Sequence, residues 1–222
     1  DQFEQQAFDV IAGGMSDAFD ISHENPAVVA RYDTSRFRLP PQLQKKRRAA
    51  SPNSLGKQLL LARRLVEADC RFITVPSVGW DMHGNQNNVS IRSGMPVLGP
   101  ALDKAVTAFL EDLEERGLSE KVLLVITGEF GRTPQISESG GRGHWGDVCT
   151  LAFAGGGLPM GQVIGETDRL ASAPAGEVVT AANMFATIMG TLLDSAELRI
   201  TSGVPRDIAG YLAASEPIRQ LT

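Results

Sequence analysis

The sequence predicts an α/β protein with a mostly parallel sheet, and three observations carry that prediction. The run VLLVI at 122–126 is continuously apolar, as a strand covered on both faces by helices should be. Stretches of helical period alternate with β-rich runs along the chain, which is the pattern of helices layered on a sheet. Two polar loops follow the carboxyl ends of two predicted strands, where the ligand site of an open α/β sheet lies.

Each element has its own justification. Residues 2–20 place Phe3, Ala7, Phe8, Ile11, Met15 and Phe19 at helical spacing, weakened by Gly13-Gly14. Residues 22–26 read as a turn into a short helix, 25–32, with Pro26 in its first turn; His23 stands alone in that turn and reads as exposed. Residues 33–53 are polar, broken by Pro40-Pro41, and carry a basic run at 45–48, so they read as a solvated loop or insertion. Ser51 or Asn53 can cap a helix running to about Asp69, with Leu55, Leu59, Leu60, Ala62, Leu65 and Val66 as its apolar stripe. Residues 71–76 form a short β-rich run, read as a strand, that ends in the loop 80–84. A helix follows, broken or begun afresh near Gly99-Pro100. It continues through 102–117 with Leu102, Val106, Phe109, Leu110 and Leu113 inward and Gly117 as its stop. Residues 121–127 make the second strand and 148–154 the third, which leaves through Gly155-Gly156-Gly157; 162–164 read as a short strand. Residues 180–193 form a last amphipathic helix with Thr180 as its cap, and the tail, 194–222, is loop-like.

With 222 residues, 42% of them hydrophobic, the chain can bury a core as a single domain. A net charge of −5 gives no reason to expect nucleic acid or an acidic membrane as partner, and the basic run lacks interleaved aromatics. No stretch has the apolar length of a membrane span. There is neither a signal peptide nor an initiator Met, so the chain reads as a fragment of a longer protein. Cys70 and Cys149 form no CxxC pair and read as small buried hydrophobes.

The chemistry gathers in two loops. In the first, Trp80-Asp81-Met82-His83-Gly84, a carboxylate and an imidazole stand two residues apart. In the second, Glu129 ends a strand, and His144 comes fifteen residues later in a glycine-rich loop with Arg132, Arg142 and Trp145. Carboxylate with imidazole suits zinc; carboxylates with carbonyls or water suit magnesium, manganese or calcium. Arg132 and Arg142 offer planar forks for phosphate, sulfate or carboxylate, and Trp80 and Trp145 could wall a pocket. Taken singly, each residue has an ordinary role open to it: Asp81 as a turn cap, Asp147 as a cap or pair, Glu129 in a salt bridge with Arg132. Two of three histidines and both tryptophans falling at two strand ends favours a site. No G-x-S-x-G elbow occurs, and the glycine triplet at 155–157 lacks GK[ST] and is no phosphate loop.

The motifs GWDMHGN at 79–85, LLVITGEFGRTP at 123–134, GGRGHW at 140–145 and LAFAGGGLPMGQVIGETD at 151–168 occur in this order. By them the chain resembles the bacterial proteins grouped as domain of unknown function 1501, which belong with the alkaline phosphatase and sulfatase superfamily and are often exported to the periplasm. The resemblance implies an alkaline phosphatase-like, three-layer α/β/α sandwich, incomplete here, with a divalent metal site (zinc, calcium, magnesium or manganese). Asp81, His83 and His144 match metal-ligand roles of the superfamily. Glu129-Phe130 stands where sulfatases carry Asp-His, so Glu129 can replace the carboxylate, whereas Phe130 cannot be a ligand. The superfamily's nucleophile comes from an N-terminal part, and no such motif lies in residues 1–50. The expectation is a hydrolase of phosphate or sulfate esters, or its C-terminal part, acting on a small anionic ester. The competing expectation is a non-catalytic metal- or anion-binding protein.

Overall fold

The computed structural model describes residues 15–41, 51–193, 210 and 216–222. The chain divides into two compact units: Asp1–Arg116 with Gln135–Gly143, and Gly117–Pro134 with His144–Thr222. The first holds α1 (Met15–Phe19), α2 (Pro26–Arg31), α3 (Leu55–Glu67) and α4 (Ile91–Glu115). The second holds β1 (Leu123–Ile126), β2 (Gly131–Arg132), β3 (His144–Trp145), β4 (Ala152–Gly155), β5 (Glu166–Thr167), β6 (Pro174–Ala175) and α5 (Ala181–Leu192).

In the first unit the helix starts follow local chemistry. Asn25 accepts a hydrogen bond from Ala27 N–H, and Pro26 takes the first helical position of α2. Neither Ser51 nor Asn53 caps α3: a 3₁₀ turn, Pro52–Ser54, intervenes and makes Ser54 the N-cap. Of the expected helix at 2–20, residues 15–19 are helical and 1–14 lie outside the described residues. The loop 33–41 is not simply solvated. Thr34 and Leu39 are buried, and Thr34 Oγ1 accepts from Gly56 N–H.

The expected break at Gly99-Pro100 is absent. α4 opens with a reciprocal cap between Ser90 and Ser93 and runs unbroken for 25 residues through Pro96 and Pro100. Each proline removes an N–H from the helix ladder and costs about 3 kcal/mol. Packing offsets this. Leu98, Phe109 and Leu113 are buried, at roughly 1.5–3 kcal/mol each, and Ala101, Ala105 and Ala108 on the same buried face let α3 approach closely. Leu55, Leu59, Leu60 and Ala62 complete the core from α3.

A charged cluster lies inside that core. Arg63 and Asp112 are each only 1% exposed and meet at 2.8 Å. Arg63 also pairs with Glu24 and, at 2.6 Å, with Glu67, so three carboxylates share one guanidinium. Asp112 accepts further bonds from Tyr32 Oη and Arg116 Nε. Burial alone would raise the Asp112 carboxyl, but the Arg116 hydrogen bond and the Arg63 charge outweigh it and hold the pKa below the ordinary 3.8. For Glu24 the same opposition, burial against Arg63, also ends with the pKa lowered. Burial and the Asp112 charge push the Tyr32 hydroxyl up, which keeps it a donor.

The second unit overturns the expected sheet. Among the described residues there is no parallel ladder and no extended sheet, only three antiparallel two-stranded pairs: β1 with β4, β2 with β3, and β5 with β6. The three-layer α/β/α sandwich with a mostly parallel sheet, alkaline phosphatase-like, is therefore not the fold. The reason lies in the connections. Parallel neighbours need a long crossover, usually a helix. Residues 127–151, between β1 and β4, hold no helix, and the strands pair antiparallel with Leu123 opposite Gly155 and Ile126 opposite Ala152. All four residues of β1 are half-buried, not covered on both faces. Residues 71–76 form no ladder; Ile73 and Val75 are half-buried while Phe72 is 69% exposed. Residues 162–164 form no strand either, and Val163 is 96% exposed. Cys70 is half-buried and Cys149 exposed, so neither is a core hydrophobe.

Other readings hold. Thr180 caps α5 in a reciprocal pair with Asn183, and Gly117, at φ +64°, ends the turn after α4. Buried Thr187 accepts from Ile218 N–H and so fixes the segment 216–222, which buries Ile218 and Leu221; residues 194–209 and 211–215 of the predicted tail lie outside the described residues. No described helix is long and apolar enough to cross a membrane.

The ionic core gives the first unit an acid-sensitive stability. Asp112 and Glu24 have folded pKa values below their ordinary 3.8 and 4.5, so their contribution is complete above about pH 5 and is lost as pH falls through the lowered values. Asp112→Ala, which leaves Arg63 buried with one partner fewer, should cost about 3–5 kcal/mol in urea unfolding at pH 7. Asp112→Asn should flatten the loss of stability below pH 4 relative to wild type. Equal acid limbs in the two proteins would rule out Asp112 as its source.

Candidate metal centre

Two tight main-chain turns build the first part of the centre. Met82 N–H donates to Trp80 O at 3.0 Å and His83 N–H to Asp81 O at 3.2 Å, each spanning three residues. The backbone thus curls so that Asp81 and His83 meet, Oδ1 to Nε2 at 2.8 Å, with both side chains partly exposed. Met82, between them, runs to α4. A Cβ on Gly94 would lie 2.7 Å from Met82 Sδ, so Met82 packs directly over that glycine. The adjoining Trp80 is half-buried and donates from Nε1 to Ser77 Oγ at 3.0 Å.

The segment 135–143 belongs to the same unit and lies directly on this loop. Arg142 N–H donates to Met82 O at 2.9 Å, Ser139 Oγ to His83 O at 3.1 Å, and Ile91 N–H to Gly140 O at 3.0 Å. The approach is main chain against main chain. A Cβ on Gly141 would stand 2.0 Å from the His83 carbonyl carbon and oxygen, and one on Gly84, at φ +70°, would stand 2.3 Å from Ser139 O. The segment keeps its own shape through Ser137, whose N–H donates to Gly141 O and whose Oγ accepts from Gly141 N–H.

In the second unit, β2 and β3 place Arg132 directly opposite His144 and Gly131 opposite Trp145. The Phe130 ring lies against both members of the first pair: its centroid is 4.4 Å from the His144 ring and 5.3 Å from the Arg132 guanidinium carbon. Trp145 is half-buried and fixes β3 by donating from Nε1 to Ser172 O at 2.7 Å. Glu129 is exposed and meets Arg132 at 3.8 Å, the salt bridge that the spacing allowed.

Asp81, His83 and His144 are a set that could hold a metal ion. The donors, one carboxylate and two imidazoles, are of types that ligate divalent metals. In the chain, His144 follows two residues after Arg142, whose N–H is bonded to Met82. Glu129, expected among the ligands, is not in the set and is engaged with Arg132. Arg132 shares the hairpin of His144, and Arg142 is held by its main chain at Met82.

Several residues that shape the centre were not singled out as such. Ser137 and Ser139 fold and hold the 135–143 segment. Phe130 was noted only as a residue that cannot ligate, yet it packs on His144. Asn88, which donates to Asp81 Oδ2 at 3.1 Å, carries no sequence signal beyond the polar run 85–88.

The close approach at Gly141 is testable. Gly141→Ala must displace backbone, not a flexible side chain, and should destabilise the protein by about 1–3 kcal/mol in urea unfolding. Ser139→Ala removes only the bond to His83 O and should cost about 1 kcal/mol. A Gly141→Ala protein as stable as wild type would show that the two main chains do not touch.

No curated protein and no solved structure matches the chain. The model of one protein family matches residues 1–215 and thereby covers both loops of the centre. The chain belongs to that family, which is described as protein of unknown function (DUF1501).

Proposed function

We propose that the protein binds a divalent metal ion through Asp81, His83 and His144 and hydrolyses phosphate or sulfate esters. The observation that carries the reading is the Asp81–His83 pair, with His144 following closely on a segment bonded to that same loop. A relation to the alkaline phosphatase and sulfatase superfamily rests on this Asp-x-His and later His pattern, not on a parallel sheet. Two imidazoles among three donors favour zinc over calcium or magnesium, which prefer oxygen ligands.

A bound ion would supply Lewis acidity toward an ester oxygen and a water made acidic enough to attack. The protein's own residues recognise the anion. Arg132, opposite His144, presents a fork that matches two oxygens of a tetrahedral phosphate or sulfate, and its charge opposes the negative charge that develops there. Phe130 lies beneath that guanidinium and, tilted, against the His144 ring. Arg142 adds a second cation two residues before His144.

Metal analysis after dialysis against zinc or manganese should find a bound ion in wild type and none in His144→Ala. Chelation should abolish hydrolysis of p-nitrophenyl phosphate or sulfate, and metal should restore it. Arg132→Ala should lower kcat/KM by about 100-fold while metal content stays the same. Wild type that binds neither ion would overturn the metal reading. A bound ion with no ester turned over would overturn the hydrolase and leave a non-catalytic metal-binding protein.

A further inference from the structure

We infer that Asn88 is the positioning residue of the metal centre, its side-chain amide fixing the rotation of the Asp81 carboxylate so that Oδ1 faces His83. This rests on the metal reading above. The two carboxylate oxygens have different partners: Oδ1 lies 2.8 Å from His83 Nε2, and Oδ2 accepts from Asn88 Nδ2 at 3.1 Å. A carboxylate only accepts hydrogen bonds, so the nitrogen of the Asn88 amide must be the end that faces it. With Oδ2 tied, the carboxylate plane is set before any ligand arrives.

The amide is itself held. Asn85 Oδ1 accepts from both Asn87 N–H at 2.9 Å and Asn88 N–H at 3.0 Å, a side chain standing in for a turn. Gly84 N–H donates to Val89 O at 3.0 Å and closes the loop just beyond Asn88. Val89 is buried, and its Cγ2 would meet a Cβ on Gly94 at 2.7 Å, so this end of the loop is packed on α4. Asn85 therefore fixes the backbone of Asn88, Asn88 orients Asp81, and Asp81 faces His83. Groups that orient ligands in this way typically change metal affinity by 10–100-fold when removed.

The test uses Asn88→Leu, which keeps much of the volume and removes the donor, with Asn85→Ala as a milder variant. Zinc affinity is measured by competition titration, and ligand geometry by the visible absorption of the Co²⁺-loaded protein. Asn88→Leu should bind Zn²⁺ about 10–100-fold more weakly and change the Co²⁺ spectrum, while the metal-free protein melts where wild type melts. Asn85→Ala should shift both in the same direction by less. Zinc binding by Asn88→Leu equal to wild type, or a loss matched by an equal loss of metal-free stability, would overturn the positioning role and leave the metal reading standing. Failure of wild type itself to bind zinc would overturn the metal reading, and this inference with it.

Discussion

Contact of one main chain with another, with no side chain between them, is the constraint on which the centre depends. The two turns that bring Asp81 and His83 together each rest on a three-residue hydrogen bond, a weak closure by itself. What holds them is the 139–142 backbone lying on 82–84, and that approach exists because residues 84 and 141 have no Cβ. The same solution recurs at Gly131, where a Cβ would stand 1.8 Å from Val148 O. Glycines that look like loosening elements in a polar loop are here the condition for rigidity.

The first unit divides its charges between two tasks. Arg63, Asp112, Glu24 and Arg116 are bound to one another, and the first two are almost wholly out of water. Such a cluster contributes little net stability when complete and costs much when one member is removed. Asp81 and His83 instead stay partly exposed at the surface of the same unit.

How much of this the sequence disclosed depended on which force decided each feature. Local chemistry was readable: Pro26 in a first turn, Thr180 as a cap, Gly117 as a stop, and the helices from 55 and 181. Pairing partners were not. VLLVI looks the same whether its neighbour runs parallel or antiparallel, and only the helix-free connection 127–151 carried a hint of the answer. The ionic core was hidden because Arg63, Glu67, Asp112 and Arg116 fall outside the apolar stripes of α3 and α4; their i,i+4 pairing is visible in sequence, their burial is not. At the centre, residue types and order identified Asp81, His83 and His144, which the structure groups as potential ligands. Glu129 was open to two readings, ligand or salt-bridge partner of Arg132, and it meets Arg132 at 3.8 Å.

The hairpin of β2 and β3 turns the length of the segment between them into a specification. Arg132 and His144 face each other across the ladder, and the eleven residues 133–143 leave and return at that base. Side chains alternate sides along a strand, so a deletion of one residue absorbed by β3 would turn His144 to the other face of the hairpin. Absorbed instead by the segment, it would draw Gly141 off His83. A substitution at exposed Glu138 leaves both ends in place, whereas a change in length does not. In this stretch the spacing is itself a structural property, in a loop where insertions and deletions would ordinarily be tolerated.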